Sequence, residues 1–399
     1  MSLDPLTYLD ALRASLEQGG AAPEILELIK KCNYQYSHKW WHEVSESLIE
    51  ALRHPLVRAV AYDVHKHVAM PIRLDMSTTN YAKILFSTVQ AISGTEEGGA
   101  QAHQILDGAA TSIIAAGGSN QQGLHCVQCI RAMMLMSDGP SIEGKHLIDA
   151  AEEYLETLQP HEIEPVLQAI LTKAQCRLHE LSGAFSKFYE TVFLMLSYCD
   201  RCGLIPQDEE YAAIAYKTAL AALLSDSVHS FGQLLTCDSL TSRLSKGGDA
   251  WLLNLVQFCN AGNVTALEAF LQTNLATINT CPELNGALPH LKRKVRLMAL
   301  PHLVFNTRAD SRVFTFETLA SRCNVDLKSV ETLLLQALAL HLIEGRVDGL
   351  ESKVEVTWLQ PRVVDKDDIA ALAARVKEWR AVAKKTAENV GRLAQEVPS

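Results

Sequence analysis

The 399 residues exceed what one compact core usually holds, so two domains or an extended array are expected. Hydrophobic residues at 48% and charged ones at 21% exclude a largely disordered chain, and aromatics at only 6% favour helix over strand. A net charge of −10 excludes a general polyanion binder, whose affinity comes from Lys and Arg neutralising phosphates.

The first residues, MSLDPLTYLD, carry neither a basic segment nor a continuous apolar run, so secretory routing is not expected. No stretch reaches the roughly 20 uninterrupted apolar residues of a membrane span. Ten cysteines in such a chain read as reduced thiols, and the compartment expected is cytoplasm and nucleus.

From the start to residue 290 the pattern predicts one helix after another. Ile25, Leu28 and Ile29, Leu48 and Leu52, and Leu56, Val60, Val64 and Val68 recur at steps of three and four. So do Leu147, Ala151, Leu155 and Leu158, then Phe185, Phe188, Val192 and Leu196. Gly19-Gly20, Gly117-Gly118, Gly139-Pro140, Pro160, Pro206 and Gly247-Gly248 separate them. No clean repeat consensus emerges, so residues 1–290 read as a degenerate helical-repeat arm of tetratricopeptide or HEAT type, in which each apolar face is covered by a neighbouring helix.

Several motifs in this arm imitate sites. Gly139 to His146 approaches a phosphate-binding loop, but His146 stands where a magnesium-binding Ser or Thr is needed, and Pro140 removes a backbone donor. Cys126 and Cys129, with Cys199 and Cys202, have zinc-ligand spacing, yet their flanks read as helix, where Cys packs as a small hydrophobe. His65-Lys66-His67 lacks the acidic residues of a zinc hydrolase, and His38 and His42 lack the glutamate of HExxH. No catalytic constellation, cofactor or metal site is expected.

Past Pro301 the texture changes, and residues 291–364 are expected to form a winged helix. A short β-prone run, Arg312 to Phe316, precedes a helix to Cys323. Asp326 is placed to cap a second helix over residues 327–341, and Val330, Leu333, Leu334 and Leu338 mark its inner face. A hairpin follows through Asp348-Gly349, with Val354, Val356 and Trp358 alternating along its second strand. The second helix offers Lys328, Gln336 and His341 against Asp326 and Glu331, a poor footprint for nucleic acid. The basic run Lys292, Arg293, Lys294 and Arg296 lies ahead of it and reads as a solvated face.

Residues 365–399 predict one long helix. Ile369, Leu372, Val376, Trp379, Ala383, Val390, Leu393 and Val397 alternate steps of three and four, broken only by Thr386. Such a seam seeks other helices. Val354, Val356, Trp358, Ile369, Leu372, Val376, Trp379, Val390 and Leu393 are therefore the candidate partner-binding residues, the wing strand being expected to lie at a sheet edge.

The run Thr357-Trp358-Leu359-Gln360-Pro361-Arg362-Val363-Val364-Asp365 resembles the PCI-domain lid subunits of the 26S proteasome regulatory particle, in the non-ATPase regulatory subunit 13 family. Ser230 to Leu235, Trp251-Leu252, and Phe258, Asn260, Gly262, Asn263 and Val264 are similar to the same family. The resemblance covers residues 207 onwards; before that only the helical texture is shared. It implies an all-α fold with a small β element: a helical-repeat array, a winged helix of PCI type and a long C-terminal helix. It further implies a non-catalytic assembly role in ubiquitin-dependent degradation. The implied partners are other PCI lid subunits, the lid deubiquitinase pair and the ubiquitin receptor, with no nucleic acid, no membrane and no functional homo-oligomer. Sister PCI complexes, the signalosome and a translation initiation factor, are the alternative, and a winged-helix nucleic-acid binder is a further one.

Overall fold

The computed structural model describes residues 4–94, 96–115, 121–246, 248–279, 281–284, 286–307, 311–360 and 366–396. Gly117, Gly118 and Gly247, the last part of the Thr357–Asp365 run, and Val397 lie outside them. Two compact units divide the chain, Met1–Glu210 and Tyr211–Ser399.

The first unit opens with α1 (Pro5–Gln18), α2 (Pro23–Ser37), α3 (Trp41–Ala51), and the single turns α4 (Pro55–Arg58) and α5 (Ala61–Val64). A π-helical turn, His65–Ala69, leads to α6 (Thr78–Ile92) and α7 (Glu96–Ala115). Then follow α8 (Gln121–Leu135), α9 (Ile142–Thr157), α10 (Pro165–Leu181), α11 (Phe185–Cys202) and the start of α12 (Asp208–Leu224). Consecutive helices pack as neighbours, as an array requires: α1 on α2, α2 on α3, α8 on α9, α10 on α11. Helix α6 is the hub, touching α3, α7, α8 and α10. It is buried on nearly every side, Thr79, Asn80, Lys83 and Thr88 as well as Tyr81, Ile84, Leu85 and Val89.

One expected helix is absent as such. Leu56, Val60, Val64 and Val68 share a helical spacing, yet the backbone breaks at Val60 (φ −113°, ψ 22°) into α4, α5 and the π turn. A run rich in β-branched valine resists a continuous helix, and the core takes Val57, Val64 and Val68 while leaving Leu56 exposed.

The second unit continues with α13 (Gly232–Thr236), α14 (Asp238–Lys246), α15 (Ala250–Ala261), α16 (Val264–Thr273), α17 (Leu275–Asn279) and α18 (Leu288–Asn306). The winged helix is β1 (Val313–Thr315), α19 (Phe316–Cys323), α20 (Leu327–Ala339), β2 (Ile343–Asp348) and β3 (Lys353–Leu359), before α21 (Lys366–Glu396). Thr315 caps α19 through Thr318 N–H at 3.3 Å. Asp326 holds the N-cap position of α20 without a side-chain bond to the helix.

The expected division at 290/291 falls inside α18, one helix from Leu288 through Pro301 to Asn306. Helix α18 touches α15 and α16 as well as α19, α20 and β3, which ties residues 250–273 to the winged helix. Gly262 makes the approach possible. It caps α15 in the left-handed region (φ 61°), and a Cβ there would lie 2.6 Å from the backbone of Ala299.

Candidate partner interface

The wing forms a three-stranded sheet in the order β1-β3-β2, both pairings antiparallel. This corrects one expectation. Strand β3 is central, not an edge: Val354 faces Phe314 on one side and Val347 on the other, so residues 353–355 are paired on both sides. Val354 is 1% exposed and Val356 4%, which makes both part of the core beneath the sheet. Only Trp358 of the three is open to a partner, at 40%. Val354 and Val356, expected to bind a partner, are thus turned inward, and the alternation gave no sign of the strand's neighbours. Among the described residues the outer edges of the sheet belong to β1, only three residues long, and to β2, where a bulge between Glu344 and Gly345 breaks the register and Thr357 donates to the Glu344 carbonyl at 3.2 Å.

Helix α21 carries the other candidates. Thirty-one residues at 1.5 Å rise extend roughly 46 Å. Ile369, Leu372, Val376, Trp379 and Val390 all stand exposed, Val376 at 62% and Trp379 at 73%. The Leu393 side chain lies outside the described residues. The seam is also broader than the three-four pattern implied. Val382 is exposed beside Trp379, and Ala373 and Ala387 extend the strip on its other flank. A strip wider than a strict two-per-heptad seam suits a bundle of several helices. Val382 was missed because it sits one step off the repeat; counting a third apolar position per heptad finds it. Arg375 reaches the carbonyls of Phe305 and Asn306 at the end of α18, both at 3.4 Å.

Comparison with known proteins addresses the chain as a whole. The family model for PSD13 N-terminal repeats matches residues 28–256, more than half the chain, and that for the PCI domain matches 271–358. The chain belongs to the PSD13 family. It is 27% identical to the 26S proteasome non-ATPase regulatory subunit 13 of Dictyostelium discoideum over 60% of its own length and 61% of that relative. It therefore spans about three fifths of that protein. With the subunit 13 homolog B of Arabidopsis thaliana it shares 24% identity over 92% of this chain and 94% of the relative. A shorter match, 29% over 44% of this chain and 38% of the relative, links it to the eukaryotic translation initiation factor 3 subunit M of Aspergillus fumigatus. The family thus reaches back to residue 28, well before the residue-207 limit of the sequence resemblance.

In this PSD13-family chain the site-like motifs serve the packing. Ser141 caps α9, accepting from Gly144 N–H at 3.1 Å, and Gly144 lets α9 approach the α8 backbone, since a Cβ there would meet the Ala132 carbonyl at 3.2 Å. Cys126 and Cys129 lie in α8, Cys199 and Cys202 in α11. Burial raises all four thiols, Cys129 and Cys199 to about 12, as suits side chains packed within helices. His65 is buried and bonded to the Tyr81 hydroxyl at 3.1 Å, while His67 stacks on Tyr8. His38 joins Tyr34 and Trp40 in an aromatic group at the α2–α3 turn.

The basic run at the start of α18 divides by function. Lys292 is exposed and Arg293 pairs with Asp226 at 3.5 Å. Arg296 stands 4.0 Å from Glu268. Lys294 is buried and donates to the carbonyls of Ala222, at 2.7 Å, and Ser225, closing the C-terminal end of α12. It was read as part of a solvated face; the structure makes it a helix cap. On α20 the solvent side presents Leu327 and Leu335, with Leu340 just beyond, not a row of cations.

Proposed function

We infer that this chain is a non-catalytic structural subunit of the 26S proteasome regulatory-particle lid, supporting lid assembly and so ubiquitin-dependent degradation in cytoplasm and nucleus. The observation that carries this reading is the exposed apolar seam of α21, at the end of a chain whose relatives are named as regulatory subunits of that particle. Each large side chain of the seam gains roughly 1.5–3 kcal/mol on full burial, which supports a role for α21 inside a bundle of partner helices. Other PCI-type lid subunits supply those helices in this reading. The lid deubiquitinase pair and the ubiquitin receptor are its further neighbours. The outer edge of β2 and the exposed face of Trp358 support side-by-side contact between winged helices.

The test is affinity purification of the tagged full chain, beside a version ending at Asp365, from native extract. Lid subunits are expected with the full chain and not with the truncated one, whose remaining helices stay folded. Equal recovery by both would remove α21 from the interface. A second reading, favoured by the initiation factor match, is a scaffold subunit of that sister complex. Recovery of initiation factor subunits without lid subunits would establish it instead.

A further inference from the structure

The first unit contains a cleft that neither the wing nor the seam uses. It is an open space of about 450 Å³ framed by α3, α4, α6, α10 and the residues just before α12. Leu52, Phe86 and Leu204 form a buried apolar floor, and Ile205 stands exposed at the lip. That volume and mixed lining suit two or three side chains of an extended segment.

The charges around it do not cancel. Buried Lys173 is committed to Glu210 at 3.2 Å and lies 4.7 Å over the Phe86 ring, while Gln90 donates to the other Glu210 oxygen at 2.9 Å. Asp208 occupies the first turn of α12, where the helix N-terminus favours a carboxylate. Two guanidiniums remain. Arg53 donates to the Gly203 carbonyl, and Arg58 is half-buried on the rim. Neither has a carboxylate within ion-pair distance among the described residues. Gly203 is held at φ 75°, and a Cβ there would meet the Arg53 guanidinium at 2.8 Å, so the loop and this cation are fitted to each other. In a chain of net charge −10 this rim is a local reversal of sign.

We propose that the cleft receives an extended segment of a partner protein, with an Asp or Glu carboxylate on Arg53 and Arg58 and an adjacent apolar side chain between Phe86 and Ile205. A planar guanidinium fork binds a carboxylate through two parallel hydrogen bonds, and the apolar floor beside it selects against plain acidic tails. The proposal does not rest on the lid reading, because it concerns the first unit and any partner that supplies this chemistry.

The experiment places a photo-crosslinking residue, Ile205→p-benzoylphenylalanine, in the full chain in cells, and maps the captured segment by mass spectrometry. That segment is then synthesised and its binding to the full chain measured by fluorescence anisotropy. The expected segment carries Asp or Glu within a few residues of Leu, Ile, Phe or Met. Arg58→Glu is expected to weaken the peptide by roughly fivefold or more, as loss of a charge pair at an interface rim does. Replacing the peptide's acid by Lys should restore binding to that variant, and an unchanged thermal midpoint excludes misfolding. A captured segment without an acidic residue overturns the proposal, as does the lack of any intermolecular crosslink. So does equal binding by the wild-type chain and Arg58→Glu.

Discussion

Two buried bases register pH in opposite ranges. Burial pushes the His65 imidazole down to about 4, while in the unfolded chain it titrates near 6.5. Between those values the unfolded chain holds the extra proton, so stability rises with pH across that window and is lost on acidification through it. The difference corresponds to about 3 kcal/mol at most. His65→Gln, which keeps a partner for Tyr81, is expected to flatten this limb in urea midpoints measured from pH 7 to pH 4. Lys294 works at the other end. Burial lowers its ammonium from 10.5 to about 8, so stability rises with pH between those values as the folded chain sheds the proton first. At pH 7 the charged amine closes α12, and Lys294→Met is expected to cost about 1–3 kcal/mol by removing the donor to the Ala222 and Ser225 carbonyls. The gap between wild type and Lys294→Met should widen from pH 8 to pH 10, and a constant gap would show that this amine does not titrate there. Neither role was legible in the sequence. Lys294 sits in a run of cations that looks solvated, and only the carbonyls of a helix some 70 residues earlier give it a reason to be buried.

Helices were far more legible than their neighbours. The three-four spacing within α11 and α21 is a local property of the chain, so it survives into the structure. The alternation of Val354 and Val356 likewise names the inner face of a strand. What it cannot name is the strand alongside: β1 is only three residues long, lies some 40 positions upstream, and converts an expected edge into the centre of a sheet. For α21 the seam was visible but its breadth was not. The double variant Val376→Asp, Trp379→Asp is expected to leave the thermal midpoint of the isolated chain within a degree or two, because both side chains face solvent there. Co-purification of partner subunits should fall at least tenfold. A large drop in the midpoint would mean that the stripe packs within its own chain.

Across the whole molecule, charge and texture told more about chemistry than about partition. A net charge of −10 opposes duplex binding in general, and α20 shows Leu327 and Leu335 to solvent in place of a row of cations. No shift of a 30-base-pair DNA is expected in a gel at about 50 mM salt, where phosphate contacts are strongest. A salt-sensitive shift would favour the nucleic-acid reading. The partition was harder to read. The change of texture after Pro301 is real, yet α18 runs straight through it, and contacts made by α15 and α16 draw residues 250–273 into the second unit. Composition changes where local structure changes, whereas compact units end where long-range packing ends. Here those are different places: the texture changes at Pro301, inside α18, and the compact units meet at 210/211, inside α12.

The width of the α21 strip also bears on supply. A copy synthesised without enough companions displays Ile369, Leu372, Val376, Trp379, Val382 and Val390 to the cell at once. Surplus copies then meet one another, or the folding machinery, before they meet a legitimate neighbour. On the lid reading, balanced dosage of this gene product and its companions becomes a requirement of the polypeptide itself, written into one face of α21.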